Sequence, residues 1–494
     1  MGKRRYGWPI TLGLLLHAPS YARSFMDIDE GSYAAIACRL LQGGEPYRDG
    51  VENKFPLIFY LYKWVFALFG RYNMHAMHVV CALSAIATAL VCGEIARRFE
   101  PRASFWAATF YVIFSAAYYP KMQAANTEMF AVLPAALAVW AYLAARQRPA
   151  LYFVAGLFGG VAVLFKQVAA ATIAALMADR AWEEVRSGAT GQRRLLVALR
   201  DLTLMLLGLG AVLGAMAAYL RAIGVWDDAL FWSLTYAFRH YMPAGTHSHG
   251  FVHNLFTSLL PFLLTVSPLI LLGWRARAVA PRAALWPLGW WLVGNVCASL
   301  VGGRMYGHYF LLFVPALSVL GALGAVSWVE DRTQRAWLVG ALALVCVGFF
   351  VAATVREEAT GSFWSPKPDY RQVSAYVRER TRPDERIFVW GWFPAIYQAA
   401  DRCPSTRFVY THILSGAAST GSGHRVDEAW PMLMHDLALD PPPFVLDTSA
   451  GDYGYDEFPI GKFPALDAFV SARYRYVTEL AGVRIYERKD RAAP

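Results

Sequence analysis

The residues best suited to chemistry begin with three carboxylates packed into Met26-Asp-Ile-Asp-Glu-Gly-Ser-Tyr33: Asp27, Asp29 and Glu30. They stand where an apolar run ends and a helical pattern begins. A carboxylate held at a water–lipid boundary can take the proton from an attacking hydroxyl, and neighbouring acids would keep a shared proton or a divalent cation close by. The structural alternative is capping. Asp29 fits an N-cap, and acids in a first turn complement the helix dipole. A further acid, Glu128, follows Asn126-Thr127 at the end of an apolar stretch. Intramembrane acids are costly and mark function by default, although one near a helix end can also snorkel to the interface.

Matching cations are present. Lys54 lies in Val51-Glu-Asn-Lys-Phe-Pro56, Lys166 in Val163-Leu-Phe-Lys-Gln-Val168, and Arg304 and His308 in Gly302-Gly-Arg-Met-Tyr-Gly-His-Tyr309. Singly each reads as an interfacial anchor. Converging on one face, they could hold a phosphate and neutralise it as it leaves. The stretch Phe238 to His253 adds Arg239 and four histidines, His240, His247, His249 and His253. Their spacing matches no standard zinc pattern, and a flexible polar gate is the plainer reading.

These side chains must be placed by a membrane protein. The 494 residues are 57% hydrophobic and only 17% charged, with a mean hydropathy of +0.33, which excludes an ordinary soluble enzyme, a disordered chain and a fibrous one. The charges are unevenly spread: residues 1–355 hold 29 Lys/Arg and 17 Asp/Glu, residues 356–494 hold 17 and 19. The chain thus divides into a membrane part, 1–355, and a tail of soluble composition, 356–494. The net charge of +10 belongs to the membrane part, where basic residues orient spans, and nucleic acid is not an expected partner.

Apolar runs long enough to cross roughly 30 Å of hydrocarbon fall near 8–24, 74–96, 104–120, 127–145, 150–165, 167–182, 202–222, 256–273, 284–302, 308–328 and 336–355. Eleven spans put the termini on opposite sides. Lys3 to Arg5, Arg97 to Arg102, Arg146 and Arg148, Arg180 to Arg200, Arg275 to Arg282, and Arg332 with Arg335 fall on one side, which marks it as cytoplasmic and places the tail outside. The first run lacks a small-residue cleavage site and reads as a retained span. Phe55 to Phe69 is too short to cross, at roughly 22 Å as a helix. It reads as an interfacial helix within the long first outer loop, 25–72. Before it, Tyr33, Ile36, Ala37, Leu40 and Leu41 predict an amphipathic helix lying along the outer surface and stopping at Gly43-Gly44.

In the tail, helix patterns at 369–380, 394–400, 426–437 and 464–472 alternate with strand-like Arg386–Trp390, Arg407–Tyr410, Pro443–Leu446 and a hairpin over 474–487. This is the pattern of a small extracytoplasmic α/β domain. Of six cysteines, Cys81, Cys92, Cys297 and Cys346 lie in predicted spans, and with Cys38 and Cys403 they show no paired spacing, so no disulfide framework or CxxC metal site is expected. No P-loop or Rossmann glycine pattern is visible, so ATP bound to this chain is not the energy source.

Taken together, the motifs resemble the polytopic glycosyltransferases of the GT-C fold, the group containing the protein O-mannosyltransferases, the aminoarabinose transferases of lipid A and the RgtA/B/C/D-like lipopolysaccharide sugar transferases. The carriers are Asp29-Glu30-Gly31 with Tyr33, Gly44-x-Pro46-Tyr47-x-Asp49, Lys54-x-Pro56-Leu57, Asn126-x-Glu128, Phe165-Lys166 and Arg304-x-x-x-His308-Tyr309 leading to Pro315, spread over most of residues 20–330. The resemblance implies a donor sugar on a polyprenyl phosphate such as undecaprenyl phosphate and a lipid, glycan or protein acceptor. It also implies a base in the first outer loop, best matched by Asp29 with Glu30 or Asp27 adjacent, and Glu128 as a second acid. Lys54, Lys166, Arg304, His308 and Tyr309 would grip the carrier phosphate. Tyr33, Tyr47, Asn126, Arg239 and His240 would line the substrate path. The sequence has Lys54-Phe-Pro56 where the family more often has Lys-Pro-Pro. Some members bind a metal through an acid–histidine pair, for which Glu52 with His240 or His253 would be the counterpart. An integral protein of a bacterial inner membrane, with its N-terminus in the cytoplasm, is the implied setting. The main alternative is a flippase or other secondary transporter, but no internal repeat or midplane-broken span is evident. A non-catalytic membrane scaffold would leave the paired acids and cations unexplained.

Overall fold

The computed structural model of the chain describes residues 6–117, 122–187, 192–241, 248–329, 369–416 and 426–491, with parts of 333–351. The chain is mostly helical. Among the described residues, five helices are long and apolar enough to cross a membrane: Met74–Arg97, Thr127–Ala145, Gln192–Ala222, Gly250–Ala278 and Arg282–Leu300. Shorter apolar helices occupy Gly7–Leu16, Leu57–Phe69, Ala103–Ala116, Leu151–Phe165 and Val314–Val326. The stretch expected as the sixth span forms the helix Ala170–Ser187. Much of 336–355, expected as the last span, lies outside the described residues.

By internal packing the chain forms two units. The first comprises Met1–Arg23, Met77–Tyr219 and Ser248–Ala353. Within it, small residues let helices approach closely, as expected where lipid supplies no hydrophobic drive. Gly156 and Gly208 face each other's helices so tightly that a Cβ on either would strike backbone, at Met205 or Phe153. Gly321 and Gly324 likewise admit Leu269 and Leu272 of the neighbouring helix. The helix Arg282–Leu300 stops at Gly302 and Gly303, which take positive φ of 87° and 68°, and Met305 follows at 48°. A non-glycine residue held there costs energy of order 1–3 kcal/mol. The turn is bound by the Asn254 amide, which donates to the Gly303 carbonyl at 3.0 Å.

The second unit comprises Ser24–Ala76, Leu220–His247 and Thr354–Pro494. Its tail holds a four-stranded sheet of order β1-β2-β4-β3, with β1 Phe388–Trp390, β2 Phe444–Asp447, β3 Tyr474–Leu480 and β4 Val483–Arg488. β1 and β2 run parallel, β4 is antiparallel to β2, and β3 and β4 form the expected hairpin. Helices Tyr370–Glu379, Ala395–Ala400, Ala429–Leu439 and Pro464–Arg473 match the sequence pattern.

Three local expectations are corrected. Residues 407–410 are not a strand: the Arg407 N–H donates to the Asp436 carboxylate and its carbonyl accepts from Val51, so the backbone is committed elsewhere. The helix Ile28–Leu41 is not an amphipathic surface helix, because every residue from Glu30 to Leu40 is buried. Its small residues permit this enclosure: Gly31 meets Pro394 and Ala395, and Tyr33 packs edge-on against Tyr62. Finally, Cys38 and Cys403 form a disulfide across 365 residues, with Cα atoms 5.6 Å apart. They are the two cysteines outside the predicted spans, which was the signal available to find them.

The disulfide is one of several ties between the first loop and the tail. Arg71 Nε donates to Asp401 at 2.8 Å and its Nη2 to the Asp401 carbonyl at 3.0 Å. The Tyr72 hydroxyl donates to the Arg402 carbonyl at 3.1 Å, Arg386 to Gln42 at 2.9 Å, and Val51 N–H to the Arg407 carbonyl at 2.8 Å. Gln398 donates to the Ser24 carbonyl. Thiol labelling of the denatured protein is expected to reach two more cysteines after reduction than before. Cys38→Ser should lower unfolding stability by about 2–4 kcal/mol, with Cys38→Ser/Cys403→Ser no worse than either single change.

Candidate active site

In the second unit, the three loop acids separate by role. Asp27, in extended conformation, is the N-cap of Ile28–Leu41, its Oδ1 accepting from the Asp29 N–H at 3.1 Å. The expected cap, Asp29, is instead the second residue of the helix. Glu30 is fully buried and accepts the Met26 N–H at 2.9 Å, closing the helix start from its third position as a capping box does. Asp29 stays partly exposed, and its carboxylate takes a long 3.4 Å bond from the Tyr33 hydroxyl. Capping therefore engages Asp27 and Glu30, and Asp29, partly exposed like Asp27, is the acid it does not use.

Further along the loop, Tyr47 is buried with positive φ of 67°, and its hydroxyl donates to the Lys54 carbonyl at 2.8 Å. Burial pushes this hydroxyl well above the usual tyrosine range, so it remains a donor. Lys54 Nζ donates to Asn53 Oδ1 at 2.7 Å and stands 3.5 Å from Glu52. The other oxygen of Glu52 accepts the Tyr410 hydroxyl at 2.8 Å. Tyr410 was not foreseen, since nothing local marks a tyrosine 358 residues from its partner. Burial and the Glu52 charge push its hydroxyl well above the usual range. Arg239 is exposed, and His240 stacks on Tyr236 with ring centres 5.7 Å apart.

In the first unit, the helix break expected at Lys166 is present. Lys166 caps Leu151–Phe165 in extended conformation before a 3-10 turn, Gln167–Ala169. Its Nζ lies 2.7 Å from Glu128 Oε1 and 4.4 Å above the Tyr309 ring. Glu128 is in the first turn of Thr127–Ala145, and its second oxygen accepts from the Thr127 hydroxyl at 2.9 Å. His308 Nε2 lies 3.9 Å from the same Glu128 oxygen, and its ring packs against Tyr306 and Tyr309. Arg304, also buried, directs Nη1 to the Tyr306 hydroxyl at 3.5 Å. Asn126 caps the helix without a side-chain cap bond, and both polar atoms of its buried carboxamide lack a partner among the described residues. An ammonium, an imidazole and the Asn126 amide therefore gather with the Glu128 carboxylate at one helix N-terminus, the place where an anion is best received. The sequence named these residues separately, and the fold brings Asn126, Glu128, Lys166, His308 and Tyr309 into one cluster.

Among the described residues, no group of three His, Cys, Asp or Glu side chains is placed to hold a metal ion. His247 lies outside the described residues, and Glu52 is engaged by Tyr410 and Lys54.

The whole fold matches a crystal structure of ArnT from Cupriavidus metallidurans bound to undecaprenyl phosphate, with a TM-score of 0.65 and 14% identity over 99% of each chain. It matches the apo form of that protein at a TM-score of 0.63 and 15% identity over 98% of each chain. The chain has the GT-C glycosyltransferase fold. Residues 53–218 match the family described as dolichyl-phosphate-mannose-protein mannosyltransferase, a stretch that includes Lys54, Glu128 and Lys166 of this GT-C chain. No curated protein matches in sequence. The GT-C fold and its apolar helices make this an integral membrane protein.

Both members of the Glu128–Lys166 pair are buried. Glu128→Gln or Lys166→Met alone strands a buried charge and should destabilise by about 3–5 kcal/mol, whereas the double change should cost clearly less than the sum. Thermal unfolding of the solubilised variants measures this.

Proposed function

We propose that the chain transfers a sugar from a polyprenyl phosphate to a hydroxyl of a lipid, glycan or protein acceptor at the outer membrane face, inverting the anomeric centre. The observation that carries this reading is the Asn126, Glu128, Lys166, His308 and Tyr309 cluster: a buried ammonium paired with Glu128 at a helix N-terminus, in the fold of a protein crystallised with undecaprenyl phosphate. Asp29 takes the acceptor proton, and the acceptor oxygen bonds the anomeric carbon. The bond from that carbon to the carrier phosphate oxygen breaks, and polyprenyl phosphate departs with its charge met by Lys166, Arg304 and His308. Lys54 serves the same phosphate from the first loop, and Glu128 keeps Lys166 in place. Tyr33, at Asp29, orients the base. No nucleotide is needed.

Residues 1–355 form the membrane part with eleven spans in this reading, and 356–494 the extracytoplasmic domain. The N-terminus is cytoplasmic and the membrane is a bacterial inner membrane. The Cys38–Cys403 bond supports that orientation, because disulfides persist in oxidising compartments outside the cytoplasm. Purified protein given undecaprenyl-phosphate-linked sugars should release or transfer sugar. Asp29→Asn should lower the rate by about 10²–10⁴-fold with unfolding temperature unchanged, and full activity in that variant would sink the base assignment. Lys166→Ala should raise the donor KM.

A further inference from the structure

The Glu52 carboxylate is divided between two neighbours of different kinds. Oε1 accepts the Asn53 N–H at 2.8 Å and stands 3.5 Å from Lys54 Nζ, while Oε2 accepts the Tyr410 hydroxyl at 2.8 Å. All three side chains are buried: Glu52 is 3% exposed, Lys54 8% and Tyr410 5%. In such surroundings an ammonium and a carboxylate attract strongly and ordinarily close to a charge-assisted contact of about 2.7–2.9 Å. Here the ion pair stands at 3.5 Å, longer than that, and Lys54 also donates a bond of 2.7 Å to the neutral Asn53 amide.

We infer that Tyr410 is a positioning residue for Lys54, one that keeps the ammonium from collapsing onto Glu52. By donating a short bond to Oε2, the phenol draws carboxylate charge away from the lysine and fixes the rotation of the carboxylate plane. The phenol is itself immobilised. The His412 ring stacks on it at 4.5 Å with 19° between planes, and Trp392 packs on His412 at 5.2 Å. Its hydroxyl stays protonated because burial and the Glu52 charge oppose ionisation. A lysine paired loosely can transfer its charge to an incoming phosphate, whereas one clamped by a naked carboxylate must first break that pair. The tail thereby tunes the anion affinity of the first loop. This rests on Lys54 being a ligand of the carrier phosphate, as proposed above.

The test uses the full chain in detergent or nanodiscs and titrates undecaprenyl phosphate, the carrier without a sugar. Tyr410→Phe should weaken binding about five- to tenfold, the worth of one ordinary hydrogen bond. Glu52→Gln cannot trap the ammonium and should bind about two- to fivefold more tightly than the parent, and Glu52→Gln/Tyr410→Phe should follow Glu52→Gln rather than Tyr410→Phe. A merely structural tyrosine would lower the unfolding temperature of Tyr410→Phe, and the added Glu52→Gln would not restore affinity; that result overturns the inference. Weaker binding by Glu52→Gln overturns it too, and does so even if Tyr410→Phe fails to fold. Lys54→Ala separates the two levels. If it binds like the parent, the assignment of Lys54 to the donor phosphate fails. If it binds weakly while Tyr410→Phe binds like the parent, the positioning role alone fails.

Discussion

The helix that carries Asp29 depends on being held by the far end of the chain. Its residues from Glu30 to Leu40 are buried, the charged Glu30 and Arg39 included, and lipid is not what encloses them. It is fixed instead by the Cys38–Cys403 bond, by Pro394 and Ala395 against Gly31, and by the Arg71 clasp on Asp401. Each tie alone is modest. A disulfide limits the unfolded ensemble, and a partly exposed arginine pair contributes little by itself. Acting on one short segment, they fix the direction of the helix start and with it the place of Asp29. The two capping acids complete the arrangement: Asp27 and Glu30 satisfy backbone N–H groups so that Asp29 does not have to.

A second economy is visible around Lys166. Burying an ammonium near lipid costs several kcal/mol, and the Glu128 carboxylate, the Tyr309 ring and the helix break at 166 offset that cost with groups in fixed positions. The His308 imidazole stands 3.9 Å from the same carboxylate oxygen, so a change in the pairing of Lys166 is felt there. The positive φ at Met305 belongs with this arrangement, since the turn it closes delivers Arg304, Tyr306 and His308 in quick succession.

Much of this was legible in the sequence. Apolar runs located the five described helices long enough to cross a membrane, and the patterns in the tail located all four strands of its sheet and four of its helices, while predicting one further strand, at 407–410, that does not form. The acids and cations were legible because charge is rare in such a chain. What stayed hidden was long-range pairing. Arg407–Tyr410 has strand composition, but Asp436 and Val51 claim its backbone. The helix Ile28–Leu41 has an amphipathic period, but its polar face is covered. Cys403 and Tyr410 find partners more than 350 residues away, where no local pattern reaches. Which of three adjacent acids is free of capping duty was likewise a matter of one turn of geometry.

The 365 residues between Cys38 and Cys403 also impose an order of events during synthesis. At roughly 5–20 residues per second, the helix bearing Asp29 leaves the ribosome on the order of half a minute before the segment that secures it. Through that interval the membrane helices insert while the loop acids have no fixed place. Such a protein gains its chemical competence late and all at once, when the last quarter of the chain folds over the earliest loop. An unfinished chain, although already embedded, would lack the ties that fix the start of the helix bearing Asp29.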